Sequence, residues 1–62
     1  MRVSELLKMI KKSGRCEFVR HGADHDIWRN KESGKEFSVP RHKRKEMKAG
    51  TAVSILKDAG LK

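Results

Sequence analysis

The side chains of this sequence best suited to proton transfer are three histidines: His21, His25 and His42. An imidazole has an ordinary pKa of about 6.5, so it can accept or donate a proton at neutral pH. His25 follows a Gly22-Ala23 turn and stands between Asp24 and Asp26. The two acids favour a protonated ring, whereas the net charge of +8 opposes it. His25 is therefore the candidate acid–base residue, although on these grounds alone the plainer interpretation of a solvated strand histidine is favoured.

The orientation of His25 depends on which of its neighbours faces the core. If Ile27 faces the helices, His25 shares its side and lies at the margin of the core. If Trp28 faces inward, His25 faces outward, because side chains alternate along a strand. Trp28 itself is either a core or interface residue, which is favoured, or an aromatic surface on which a nucleic-acid base stacks.

The remaining candidates have plainer interpretations. His21 is expected to be an exposed residue beside the turn, and Cys16 a small packing residue rather than a nucleophile. The sequence has no paired carboxylates, Ser/His/Asp set or Gly-rich phosphate loop, and no Cys/His pair at zinc-site spacing. We therefore expect neither a metal site nor a cofactor.

A basic segment, Arg41–Lys48, carries five lysines and arginines against one acid. Together with a net charge of +8 on 62 residues, it predicts a polyanionic partner, either a nucleic acid or an acidic protein. If the partner is a nucleic acid, the residues expected to contact its phosphates are Arg29, Arg41, His42, Lys43, Arg44 and Lys45.

The length of 62 residues predicts one small domain, 1–62, and excludes large cofactor-binding folds and barrels. The apolar residues, 35% of the chain, fall in regular patterns that argue against disorder. No apolar run approaches the ~20 residues of a membrane span, and no signal peptide is evident. With a single free thiol, these features predict a cytoplasmic protein. We also expect the free protein to be a monomer.

Amphipathic helices are predicted near both ends of the sequence. Val3, Leu6, Leu7 and Ile10 have helical spacing, which predicts a helix over Ser4–Ser13 with Ser4 as its N-cap. Gly14 suits the C-terminal stop of this helix. A second helix is expected to begin at an N-cap, Thr51, and to end at Gly60; its apolar face consists of Ala52, Ile55, Leu56 and Ala59.

Three strands are expected between the helices, over Arg15–His21, Asp24–Asn30 and Glu36–Val39. Pro40 ends the third strand because it has no backbone N–H. Short connections make the sheet antiparallel, and one sheet face is the only large apolar surface against which both helices can pack. The predicted fold is α+β, with order α-β-β-β-α and both helices on one face of a three-stranded sheet, as in a double-stranded-RNA-binding domain.

In order and spacing, almost the whole chain resembles the HicA family, the RNA-cleaving toxins of HicAB toxin–antitoxin pairs. The residues that carry the resemblance are Gly14, Gly22-Ala23-Asp24-His25, Asp26-Ile27-Trp28, Phe37-Ser38-Val39-Pro40-Arg41-His42, Gly50-Thr51 and Ile55-Leu56-Lys57-Asp58-Ala59-Gly60-Leu61. The resemblance implies a double-stranded-RNA-binding-like fold, cleavage of mRNA, a catalytic histidine at His25 and a cognate HicB-type antitoxin that masks the site.

The corresponding hypothesis is metal-independent cleavage of RNA phosphodiester bonds. His25 would act as general base on the ribose 2′-OH or as general acid on the leaving 5′-oxygen. Arg41, Lys43 or Arg29 would neutralise the charge of the transition state, and a second acid–base group is unassigned. The alternatives are a non-catalytic RNA- or DNA-binding module, and a basic surface for an acidic protein, which is compatible with catalysis.

Overall fold

The computed structural model describes all 62 residues, Met1–Lys62. Its elements are α1 (Val3–Ser13), β1 (Cys16–His21), β2 (His25–Asn30), β3 (Glu36–Pro40) and α2 (Ala49–Asp58). The predicted order of a helix, three strands and a helix is confirmed, and the element ends lie within a few residues of those expected. Neither helix is long and apolar enough to cross a membrane.

Helix α1 buries one face completely, through Val3, Leu6 and Ile10. It ends at Gly14, whose φ of 67° is the left-handed conformation that glycine adopts most easily. The prediction of Ser4 as N-cap was wrong, because the N-cap is Arg2. The backbone N–H groups that a side-chain cap would satisfy are bonded elsewhere. Val3 and Ser4 donate them to carbonyls of the basic segment, at 3.0 and 2.9 Å.

The three strands form one antiparallel sheet in the order β1-β2-β3. Phe18, Trp28 and Phe37 are aligned across it. The register shifts between Phe18 and Arg20, so β1 has one extra residue relative to β2. Because of this bulge, Phe18 and His21 project from the same face of the sheet, although they are three residues apart.

Both helices pack on the face of the sheet that carries Trp28, Phe37 and Val39. A single cluster of 12 buried residues joins these side chains to α1 and α2, whereas no residue of the opposite face is buried. Asn30 is the one buried polar residue. Its side chain donates to the carbonyl of Asp58 at 3.1 Å and accepts from the N–H of Glu32 at 2.9 Å, so it joins the β2–β3 turn to the end of α2. The predicted α+β fold with both helices on one face is thus confirmed.

Helix α2 begins earlier than expected, and the prediction of Thr51 as N-cap was wrong. The N-cap is Lys48, whose carbonyl accepts the first helical hydrogen bond from Ala52 at 3.0 Å. Met47, just before it, is buried in the core and donates its N–H to the carbonyl of Met1. This anchoring fixes the start of the helix, so Thr51 lies within the first turn.

Candidate active site

His25 is exposed at the start of β2, and the turn that precedes it is tightly fixed. The N–H of Gly22 donates to the carbonyl of His25 at 2.7 Å. A Cβ on Gly22 would lie 2.8 Å from that carbonyl oxygen, so only glycine fits at this position without a shift. Trp28 faces inward, which settles the orientation of β2 and places His25 on the opposite face of the strand.

A groove of about 370 Å³ lies beside His25; we call it the His25 groove. Its walls come from the ends of β2 and β3, the basic segment and the start of α2. The lining residues are His25, Pro40, Lys45, Glu46, Met47, Lys48 and Thr51.

The N-terminus of α2 makes the His25 groove suitable for an anion. The backbone N–H groups of Ala49, Gly50 and Thr51 have no acceptor within the protein, and no side chain caps the helix. Free N–H groups and the positive end of the helix dipole together favour a phosphate. Lys45 and Lys48 add two cationic side chains to the same groove.

One carboxylate also lines the His25 groove, but its charge is compensated. Glu46 lies 2.5 Å from the terminal amino group of Met1. This hydrogen bond and the attraction between the two charges lower the pKa of Glu46 and raise that of the amino group. Since Glu46 already has a cationic partner, the two lysines dominate the charge that a ligand meets.

The residues of the basic segment point to two different places. Lys45 lines the His25 groove. Arg41 instead donates to the carboxylate of Asp26 at 3.0 Å and to the carbonyl of Gly22. Lys43 lines a second groove, on the side of α1. The segment therefore supplies cations to both sides of the turn at Gly22.

The other predicted RNA-contacting residues do not line the His25 groove. His42 and Arg44 are exposed, and the His42 carbonyl closes a turn by accepting from the N–H of Lys45 at 2.9 Å. Arg29 lies four residues along β2 from His25, which corresponds to about 13 Å of strand. Its guanidinium is paired with Glu17 at 3.4 Å and with Glu36 at 4.0 Å.

His21 was expected to be merely exposed, but it takes part in a hydrogen-bonded group. Its Nδ1 lies 2.7 Å from Oδ1 of Asp26, the same oxygen that Arg41 contacts. The bond from His21, followed by that from Arg41, lowers the pKa of Asp26. The regular alternation of side chains along a strand did not predict this contact. The bulge in β1 reverses the side of the sheet to which the following residues point.

Two further groove residues, Lys48 and Thr51, were also missed. The signal available in the sequence was the Gly50-Thr51 pair near a helix start. This pair could be assigned to the groove only from the fold, because the fold brings the start of α2 beside His25.

The buried thiol and the possible metal ligands add no second reactive group. Cys16 is buried, burial raises the pKa of its thiol, and the thiol contacts the Ala59 carbonyl at 3.4 Å. No three His, Cys, Asp or Glu side chains are grouped closely enough to hold a metal ion.

Comparison with known proteins gives the family. A family model described as the HicA toxin of bacterial toxin–antitoxin systems matches residues 3–61. No curated protein and no solved structure matches the chain. The family match spans both helices, the complete sheet and every residue of the His25 groove. The chain belongs to the HicA toxin family.

Proposed function

We propose that this protein is an endoribonuclease, the toxin of a toxin–antitoxin pair, and that it cleaves mRNA with His25 as the acid–base residue. The observation that carries the proposal is the His25 groove, where an exposed imidazole adjoins Lys45, Lys48 and the start of α2. Membership of a toxin family whose activity is RNA cleavage supplies the reaction class.

The proposed reaction needs a phosphate fixed beside a proton carrier. A phosphodiester that binds at the free N–H groups of α2, between Lys45 and Lys48, lies beside the imidazole of His25. There His25 takes the proton from the ribose 2′-OH, whose oxygen attacks phosphorus, or gives a proton to the 5′-oxygen that leaves. The bond to the 5′-oxygen breaks, and the products are a 2′,3′-cyclic phosphate and a 5′-hydroxyl.

The surrounding cations stabilise the additional negative charge of the transition state. Donors that are already oriented towards the place where charge develops are worth more than mobile ones, since they need no rearrangement during the reaction. The helix start is such a fixed group, and the lysines add charge. In this scheme Lys45 and Lys48 occupy the role first considered for Arg41 and Arg29, whose guanidiniums are paired with carboxylates.

The reaction is tested with a labelled single-stranded RNA and a DNA oligonucleotide of the same sequence. We expect the RNA to be cut to fragments with cyclic phosphate ends, the DNA to stay intact, and EDTA to have no effect. RNA that is bound but never cut would favour the non-catalytic binding module. Loss of cleavage in EDTA would exclude the metal-independent mechanism.

The groove cations are tested separately. Lys48→Gln removes a charge beside His25, whereas Lys57→Gln removes the same charge from the exposed last turn of α2. We expect Lys48→Gln to lower the cleavage rate at subsaturating RNA and Lys57→Gln to have a much smaller effect. Equal effects of the two substitutions would mean that only the net charge of the protein matters.

We further propose that a HicB-type antitoxin inhibits the enzyme by covering this surface. A protein that competes with RNA for the His25 groove and the basic segment should present acidic residues to them. The antitoxin should therefore displace RNA from the toxin. An interface that leaves both His25 and the basic segment uncovered would contradict inhibition by occlusion.

The proposal also includes the setting in which the enzyme works. We infer that residues 1–62 act as one domain, that the free toxin is a monomer and that it works in the cytoplasm. The single core cluster supports the first point. Sedimentation of the free protein tests the second, and a dimer would contradict it.

A further inference from the structure

A second groove, of about 360 Å³, lies on the other side of the Gly22 turn, between α1 and the sheet. We call it the α1 groove; its lining residues are Leu7, Lys11, Phe18, His21, Asp26, Trp28 and Lys43. A smaller neighbouring depression shares Leu7, Lys11 and Lys43 with it and extends it along α1 to Lys8. Neither His25 nor the start of α2 belongs to this surface.

One wall of the α1 groove is aromatic and open to solvent. Phe18 is 44% exposed, although it lies on the same face of the sheet as the core. Its ring is 4.8 Å from that of His21 and 5.8 Å from that of Trp28, measured between centroids. The bulge in β1 produces this cluster by turning His21 to the side of Phe18. An exposed aromatic ring with aromatic neighbours is the surface on which unpaired nucleic-acid bases stack.

The opposite wall is cationic. Lys11 and Lys43 line the groove, and neither has a carboxylate partner. Asp26 is the only acid present, and its carboxylate is occupied by hydrogen bonds from His21 and Arg41. The groove therefore offers a positive charge next to an aromatic surface, which matches the phosphate and the base of a nucleotide.

We propose that the α1 groove binds one nucleotide of single-stranded RNA, with its base stacked on Phe18 and its phosphate held by Lys11 and Lys43. The inference rests on the proposed function in one respect: the bound nucleotide flanks the one that is cleaved at His25. The two grooves lie on either side of the Gly22 turn, and the basic segment contributes Lys43 to one and Lys45 to the other. An RNA strand that crosses the turn meets both.

The size of the groove is compatible with a nucleotide. A volume of about 360 Å³ is near the lower end of the range for small-ligand pockets, about 300–1,000 Å³. It accommodates a planar ring and a phosphate. The antitoxin remains the other possible occupant, and the experiment distinguishes the two.

The test uses binding rather than cleavage, with a short 2′-O-methyl RNA that cannot be cut. Trp28 is the only tryptophan, so its fluorescence reports on the groove directly. We expect the oligonucleotide to change this fluorescence. Phe18→Leu, which keeps an apolar side chain, should weaken binding by about 5- to 150-fold, as loss of one stacked base does. Lys11→Gln should weaken binding more than Lys57→Gln, and should make it less sensitive to salt.

The outcomes separate this inference from the proposed function. Binding that depends on Phe18 in a protein that never cleaves RNA would support the subsite and refute the ribonuclease. Cleavage that depends on His25, together with wild-type binding by Phe18→Leu, would overturn the subsite alone. If Phe18→Leu weakens binding of the antitoxin and leaves RNA binding unchanged, the groove is a protein interface and the inference is wrong. Circular dichroism of each variant establishes that it is folded.

Discussion

The N–H of Gly22 and the carbonyl of His25 form a 2.7 Å hydrogen bond that closes the turn between β1 and β2. The same carbonyl oxygen lies 2.8 Å from the position of a Cβ on Gly22. Backbone, rather than a flexible side chain, occupies the space that the new methyl group would need. The position of His25 at the edge of its groove therefore depends on the absence of a side chain three residues earlier.

Gly22→Ala is expected to displace the start of β2 and with it His25. Overpacking of this kind typically costs about 1–3 kcal/mol of folding free energy. We expect a lower urea midpoint, and a cleavage rate that falls further than the loss of folded protein explains. Ala23→Ser is the matched control, since it changes an exposed residue of the same turn. A Gly22→Ala protein that matches Ala23→Ser in both measurements would show that the close approach has no consequence.

Asp26 should make the stability of the domain depend on pH. Hydrogen bonds from His21 and Arg41 lower its pKa below the usual value of about 3.9. A carboxylate with a lowered pKa stabilises the fold above its unfolded pKa, and this contribution is lost as pH falls through the lower, folded value. Asp26→Asn should therefore be less stable than wild type at pH 7.

The check is the difference between the two proteins in the free energy of unfolding, measured by urea from pH 7 to pH 2. Taking the difference removes the effect of the other carboxylates, which titrate in both proteins. We expect the difference to shrink below about pH 4, as the Asp26 carboxylate becomes protonated. A difference that does not change with pH would contradict the stabilising role of the Asp26 charge.

The small core leaves little reserve of stability. Leu6 is fully buried in α1, whereas Met9 on the same helix is 41% exposed. Leu6→Ala should cost about 2–5 kcal/mol, comparable to the whole stability of about 3–5 kcal/mol expected for a domain of this size. Met9→Ala should change the stability by less than about 0.5 kcal/mol. The two variants are compared by thermal unfolding, with circular dichroism as the signal. Equal unfolding midpoints would contradict the assigned core.

The part of the fold that could be predicted depends on the spacing of apolar residues and glycines along the chain. The apolar period of α1, the Gly14 stop and the alternation of Phe37 and Val39 each specify one local structure, and all agree with the observed elements. The sequence neighbours of His25 made it a candidate, the family resemblance assigned it, and the structure places it beside a groove lined by Lys45 and Lys48. These features depend on residues close together in the chain.

The features that were missed depend on contacts between distant residues. The start of α1 is capped by carbonyls of the basic segment, about forty residues away, so Ser4 is not needed as a cap. The β1 bulge, which brings His21 to Phe18, has no glycine to signal it. Likewise, a count of arginines does not reveal that Arg29 and Arg41 are already paired with carboxylates. Composition therefore identified the basic surface but not the cations that remain available to a ligand.

The most direct test of the central claim is the single-turnover rate at which His25→Gln cleaves RNA, measured at saturating protein. Glutamine retains hydrogen-bonding capacity but does not transfer protons at neutral pH, and because His25 is exposed the substitution leaves the core unchanged. We predict a rate about 10²- to 10⁴-fold below that of wild type, with RNA binding largely unchanged. A folded His25→Gln protein that cleaves bound RNA at the wild-type rate would contradict the assignment of His25 as the acid–base residue.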